Sequence, residues 1–282
     1  MSRAFAALAS VLFLAGCAYP GSVQARSFTT GFHAGETLRY RVHTTVSGSL
    51  LVGSQQVPFN SDQTLTEVLQ VQSVDAAGTA AVMVVFLDRV GRPPAAAGDL
   101  KPAPIKLQVG SDGRILSGAA AQLAGRVPSI PGTDQLTPVL AGNTVRPGDA
   151  WDKTYSRPNP YGSGGFGFTA HSRYQGDETV GGHDVAVIDT TVEGPVDFTI
   201  DFSRLPADAG RGTPIASGPV RYTGSVKSTR RYWIDLSHHK VSRSTGVGSY
   251  RLSYALAVPP GQPGGPQQVD FNGRIKTEQR EA

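Results

Sequence analysis

Four patterns in this chain bring together residue types that do chemistry, and each meets a physical obstacle. Gly162-Ser163-Gly164-Gly165-Phe166-Gly167 satisfies G-x-G-x-x-G. A dinucleotide site needs that motif between a strand and a helix, so that backbone N–H groups cradle a pyrophosphate at the helix N-terminus. Here Pro158 and Pro160 precede it and an alternating pattern follows, which predicts a glycine-rich hairpin or loop. Ser237-His238-His239-Lys240 has the S-x-x-K spacing, which is productive only when a helical turn stacks lysine on serine. Four polar residues between long apolar runs predict a turn instead. The histidines, His33, His43, His171, His183, His238 and His239, include no i,i+4 pair. Metal binding needs a convergence that this spacing does not display, so solvent-facing histidines, no metal and no cofactor are expected. Asp197 and Asp201 share a strand face, and on an amphipathic strand that is the solvated face; a glycosidase acid needs a raised pKa. No Gly-x-Ser-x-Gly elbow occurs. A protein without catalysis is expected, with a hydrolase as the remaining enzymatic alternative.

The remaining reactive residue is Cys17, the only cysteine. It ends an N-terminal segment with a positive residue, Arg3, an apolar run from Ala4 to Leu14, and then small residues. The run is far below the ~20 residues that cross a bilayer, so it predicts a signal peptide and not a span. The tetrad Leu14-Ala15-Gly16-Cys17 resembles the lipobox of bacterial lipoproteins. The resemblance implies cleavage between Gly16 and Cys17, a diacylated Cys17 thiol and an acylated Cys17 amine. Two or more acyl chains hold a protein firmly at a membrane, where one is marginal. The resemblance also implies a cell-envelope location, and Ala18 in place of Asp points to the outer membrane, at its periplasmic face, in a host with two membranes. A plain secretory signal cut after Val23-Gln24-Ala25 is the alternative, at a greater distance from the apolar run.

From Cys17 to Ala282 the chain is long enough for one large or two modest domains. No intrachain disulfide is available, so the exported fold must rest on an ordinary core. The 39% hydrophobic and 17% charged residues suit a folded globule, and 34 Gly with 20 Pro punctuate many turns. The formal charge of +4 is mild, and the basic residues are scattered without aromatic interleaving. That excludes nucleic acid as the expected partner and leaves a weak attraction to anionic lipid or glycan surfaces.

Strand signals dominate beyond a small, polar tether at residues 17–30. Leu38 to Val46 alternates with period two, Thr64 to Val74 does so less cleanly, and Ala80 to Val90 is a nearly unbroken apolar run. Ile105 to Val109 leads through Gly110-Ser111-Asp112-Gly113 to Ile115, a hairpin signal. Ser117 to Arg126 is the one helix candidate, and the proline-broken stretch to Asn143 predicts a strap. Val185 to Val192 and Val196 to Phe202 follow; a one-residue slip of the second would bury two aspartates. Val220 to Leu236 and Val241 to Val258 are long enough to require curvature or a bulge, with Gly224 the natural site. Val269 to Lys276 is the last strand.

Three landmarks recur in order. Gly35-Glu36 ahead of Leu38 parallels Gly148-Asp149 ahead of Trp151. Val74 to Gly78 parallels Val180 to Asp184. Ser111 to Ile115 parallels Ser237 to Val241. The expected fold is therefore mainly β: a long curved antiparallel sheet, possible as two repeated meanders over 31–142 and 143–282, with one or two short helices. Together with the lipobox this pattern resembles the half-barrel lipoproteins of the Lol type and the related mycobacterial lipid-binding lipoproteins. The resemblance implies an apolar cavity closed by short helices and a bound lipid or hydrophobic ligand. Phe198, Phe202, Tyr222, Tyr232, Tyr250 and Tyr254 are the candidate lining. An envelope scaffold contacting another protein through its glycine- and proline-rich loops is the alternative. Replacing Cys17 with serine is expected to move the protein to the soluble fraction and abolish labelling by a fatty-acid probe; unchanged labelling refutes the anchor.

Overall fold

The structure is a computed structural model that describes residues 24–87, 104–118, 135–159, 163–201, 219–256 and 267–282. Cys17, Gly16, Phe202, the loop at 259–266 and most of the expected helix lie outside the described residues. Eleven strands form one antiparallel sheet. They are β1 (Thr37–Val52), β2 (Gln55–Val74), β3 (Ala80–Leu87), β4 (Ile105–Val109), β5 (Ile115–Gly118), β6 (Ala150–Pro158), β7 (Gly165–Val180), β8 (His183–Asp201), β9 (Pro219–Asp235), β10 (Lys240–Leu256) and β11 (Gln267–Glu281). The order is β5-β4-β3-β2-β1-β11-β10-β9-β8-β7-β6. Two meanders thus join along β1 and β11, which pair from Tyr40↔Glu281 to Val52↔Val269. The edge strands β5 and β6 return to contact each other, and Lys153 on β6 reaches Asp112 of the β4–β5 turn at 2.8 Å. The sheet is nearly closed, like a barrel.

Period-two alternation sends one face of every long strand inward. Three buried clusters result: an aromatic one across β6–β11, an aliphatic one across β1–β5, and a third across β7–β9. The expected strap is present in its described part and is extended, not helical. Leu136 enters the β1–β5 cluster, Val139 the aromatic cluster and Leu140 the third. A buried irregular segment must find partners for its backbone. Gln135 O accepts from Arg230 Nη1 at 2.9 Å and from the Tyr232 hydroxyl at 3.3 Å. Val139 O accepts from Trp151 Nε1 at 2.9 Å, and Leu140 N donates to Asp112 O at 2.8 Å.

Several expectations are corrected. Among the described residues there is no helix; Ser117 and Gly118 belong to edge strand β5. Arg26 to Thr30, expected in the tether, dock at one end of the sheet: Arg26 forms a two-way backbone bridge with Val145, and buried Phe28 meets Tyr174 edge-on at 5.2 Å. Val185 to Val192 and Val196 onward are one strand, β8, despite Pro195. The β7–β8 ladder ends at Thr169↔Glu193 and resumes as a bridge at Gly164↔Phe198, so the missing N–H falls in a gap. Gly224 does adopt φ +148°, and any Cβ there would strike Arg251 O, yet the pairing stays in register. The extra residues are Gln72, Leu116, Gln175 and Ser242.

The landmarks of the two halves share backbone details. Gly35 N donates to Val71 O and Val71 N to Glu36 O; Gly148 N donates to Tyr174 O and Tyr174 N to Asp149 O. Each set lies beside a bulge, at Gln72 and Gln175. Replacing Leu140, 1% exposed, with alanine is expected to cost about 2–4 kcal/mol in urea unfolding. Leu51→Ala at the exposed β1 tip is expected to cost under about 0.5 kcal/mol. Equal effects would show that the strap is not part of the cooperative core.

Candidate functional site

The concave face carries a wall of stacked rings toward the ends of β8, β9 and β10. Phe198 and Tyr222 are direct partners across β8 and β9 and stack with centroids 5.2 Å apart. Tyr222 and Tyr254 are partners across β9 and β10, 4.9 Å apart. Phe166 meets Phe198 edge-on at 4.8 Å. A second run continues the wall, Tyr250 on Phe271 at 4.8 Å and Phe271 on Phe59 at 4.9 Å. Room for it comes from Gly48 and Gly273, opposed across β1 and β11: a Cβ on the first would strike the Phe59 ring, and on the second the Tyr250 ring. Phe198, Tyr222, Tyr254 and Phe59 are half-buried, whereas Tyr250 and Phe271 are buried. Burial pushes the Tyr222, Tyr250 and Tyr254 phenols up, with Tyr254 adding to the effect at Tyr222. All three stay neutral at physiological pH. The Tyr250 hydroxyl is buried without a hydrogen-bond partner among the described residues.

Four of the six expected lining residues therefore share one wall. Tyr232 does not belong to it; its hydroxyl supports the strap at Gln135. Phe202 lies outside the described residues. Below the wall, a cavity of about 10 Å³ among Thr30, Phe32, Leu38, Tyr40, Leu136 and Val241 has room for one water at most.

A buried polar layer lies between the apolar clusters, and sequence reasoning missed it. Ser172 and Thr190 share a hydrogen bond at 2.9 Å, and the Ser244 hydroxyl donates to Gln279 Oε1 at 3.0 Å. Glu67 is 6% exposed. Burial pushes its carboxyl up to about 7, against the Arg230 guanidinium, which lowers it. The signal was present: Glu67 occupies an inward position of the alternation that buries Leu69 and Val71.

The tempting motifs resolve differently. Asn159 N donates to Gly164 O at 3.2 Å and Gly165 opens β7, with no helix among the described residues. Ser237 to His239 form the β9–β10 turn and Lys240 pairs with Glu36. Ser237 Oγ, His238 and Asp235 are in contact, but the same imidazole nitrogen, Nδ1, faces both serine at 2.9 Å and aspartate at 3.2 Å. A proton relay needs both nitrogens. Burial pushes the Asp235 carboxyl up, yet bonds from Ser237 and His238 hold it lower, near 2. His183 also faces Asp235, at 3.7 Å. His43 pairs with Asp62 at 2.8 Å, His171 with Asp152 at 2.7 Å, and His33 sits 3.9 Å from Glu36. Among the described residues no group of three or more His, Cys, Asp or Glu has metal-holding geometry. Asp197 is held by Arg221 through two bonds of 2.8 Å, which keep its carboxyl below the usual range.

No family model matches this chain, and no curated protein matches it. Among solved structures it is similar to a DUF1329 family protein from Desulfovibrio piger, at 10% identity over 87% of this chain and 86% of that one. The TM-score is 0.20, too low for that likeness to bear on fold or function.

The buried Glu67 makes stability depend on pH. Between its ordinary value of 4.5 and about 7 the folded chain holds a proton that the unfolded chain releases. The contribution of Glu67 to stability is therefore full below this window and is lost as pH rises through it, by roughly 2–4 kcal/mol. Glu67→Gln is expected to remove most of the difference between urea unfolding at pH 5 and pH 8. An unchanged difference would place the titrating group elsewhere.

Proposed function

We propose that this chain is an exported envelope protein, anchored by acyl chains on Cys17, that performs no catalysis and holds a hydrophobic ligand against the aromatic end of its concave sheet. The observation that carries the ligand reading is the row Phe166–Phe198–Tyr222–Tyr254, whose ring centroids lie 4.8 to 5.2 Å apart. Stacked rings offer broad apolar area at small entropic cost, and each phenol adds a neutral donor for a polar headgroup. A lipid acyl chain fits that chemistry. The non-catalytic reading is supported by the single-nitrogen contact among Ser237, His238 and Asp235 and by the arginine-held Asp197. The lipobox-like tetrad supports the anchor and, with Ala18, the periplasmic face of an outer membrane.

A second reading, an envelope scaffold without a small ligand, is favoured by the smallness of the cavity beside the strap, about 10 Å³. One experiment separates the two. Full-length protein extracted in mild detergent is examined by native mass spectrometry and titrated with cis-parinaric acid. Co-purified lipid and saturable fluorescence are expected, weakened at least about fivefold by Phe198→Ser with Tyr222→Ser, which remove the centre of the wall. A bare mass with no fluorescence gain overturns the ligand reading in favour of the scaffold.

A further inference from the structure

The outer face of the sheet divides into two halves by how its cations are satisfied. Across β6–β9 four of them have carboxylate partners, His171–Asp152 at 2.7 Å, Arg231–Asp189 at 2.7 Å, Lys227–Glu193 at 2.8 Å and Arg221–Asp197 at 2.8 Å, while Arg173 donates to Gly148 O at 3.2 Å. Across β10, β11 and β1 most do not, Lys240 beside Glu36 and His43 beside Asp62 being the exceptions. Arg41, Arg243, Arg251, Arg274 and Lys276 have no carboxylate within 4.0 Å among the described residues. Arg41 opposes Arg280, and Arg280 opposes Arg243, so three guanidinium-bearing residues stand in one transverse row. Like charges directly opposed on neighbouring strands are destabilising on their own. Two acids share this half. Glu278 is 3.9 Å from Arg280, and Asp270 is occupied by the Ser253 hydroxyl and the Gln268 amide.

We infer that this half of the outer face is a docking surface for a linear anionic polysaccharide. Along β11 the exposed Arg274, Lys276 and Arg280 point the same way, in steps of about 6.8 Å per two residues. Arg251 and Arg243 on β10 and Arg41 on β1 flank that line. Arginine forks match carboxylate and phosphate groups in pairs. The face is the convex side of a nearly closed sheet. A polymer can follow its line of cations, whereas a flat bilayer touches a convex surface over only a narrow strip. Nucleic acid is disfavoured by the lack of an open stacking ring: the Trp233 face is covered by Arg243 at 4.8 Å, and its Nε1 donates to Glu178. The site lies on the face opposite the aromatic wall and does not depend on a ligand there.

The test uses the full chain at low salt with polygalacturonate as probe, neutral dextran as control, and vesicles containing phosphatidylglycerol as the competing surface. Arg41→Gln, Arg274→Gln and Lys276→Gln together are expected to weaken polygalacturonate binding at least about tenfold. Arg221→Gln, Lys227→Gln and Arg231→Gln remove the same charge from the paired half and are expected to weaken it less than about twofold. Matched circular dichroism and urea midpoints establish that both variants fold; if the first does not, Lys276→Glu alone is expected to weaken binding several-fold. Equal loss in the two triple variants, no binding by the natural sequence, or binding to vesicles with none to the polymer overturns the proposal. Phe198→Ser with Tyr222→Ser is expected to leave polymer binding intact, so failure of the apolar site and failure of this one are told apart.

Discussion

The interior of this sheet is held by a segment that belongs to neither meander. Gln135 to Leu140 lies across the concave face, and Leu136, Val139 and Leu140 each enter a different cluster. Without it the clusters would be three separate patches on a curved surface, each with a side open to water. Placing peptide groups there removes them from solvent, which is favourable only when each finds a partner. Arg230, Tyr232 and Trp151 project inward from the sheet to supply donors, and the β4–β5 turn supplies acceptors. Gly246 makes this possible by leaving room for the Arg230 side chain to cross β10.

The strands were legible because a half-buried strand writes its geometry as a period of two. The turns were legible because Asp-Gly and polar tetrads have few other uses. The interior was not legible in the same way. Glu67 sits in an alternation where a carboxylate conflicts with its neighbours, and alternation alone does not say whether an inward acid meets a cation. Its counterpart, Arg230, is far away in sequence and reaches across another strand. The strap was legible from its prolines, but its burial was not, since a proline-broken stretch reads as surface unless the curvature that receives it is known. The expectation of helices came from alanine content near Ser117, where β5 instead takes the first residues into an edge strand.

Charge shows the same limit. Read in order, the cations are scattered along the chain; folded, β10, β11 and β1 stand side by side and bring Arg243, Arg280 and Arg41 into one row. Of the aromatic wall, Phe198, Tyr222, Tyr250 and Tyr254 were found by their inward parity. Phe59 and Phe271 were missed, because their stack depends on two glycines meeting across β1 and β11.

That same junction sets how the molecule must assemble. Among the described strands β11 comes last in sequence, yet it occupies the middle of the sheet, between β1 and β10. The first meander can pair internally, but its β1 edge keeps a row of unsatisfied amide and carbonyl groups until the far end of the polypeptide arrives. Such non-local closure slows acquisition of the native state and leaves exposed edges vulnerable to pairing with a neighbouring molecule. A chain shortened before Gln267 would thus not lose a margin; it would split the sheet and lay bare the edges of β1 and β10 that β11 covers.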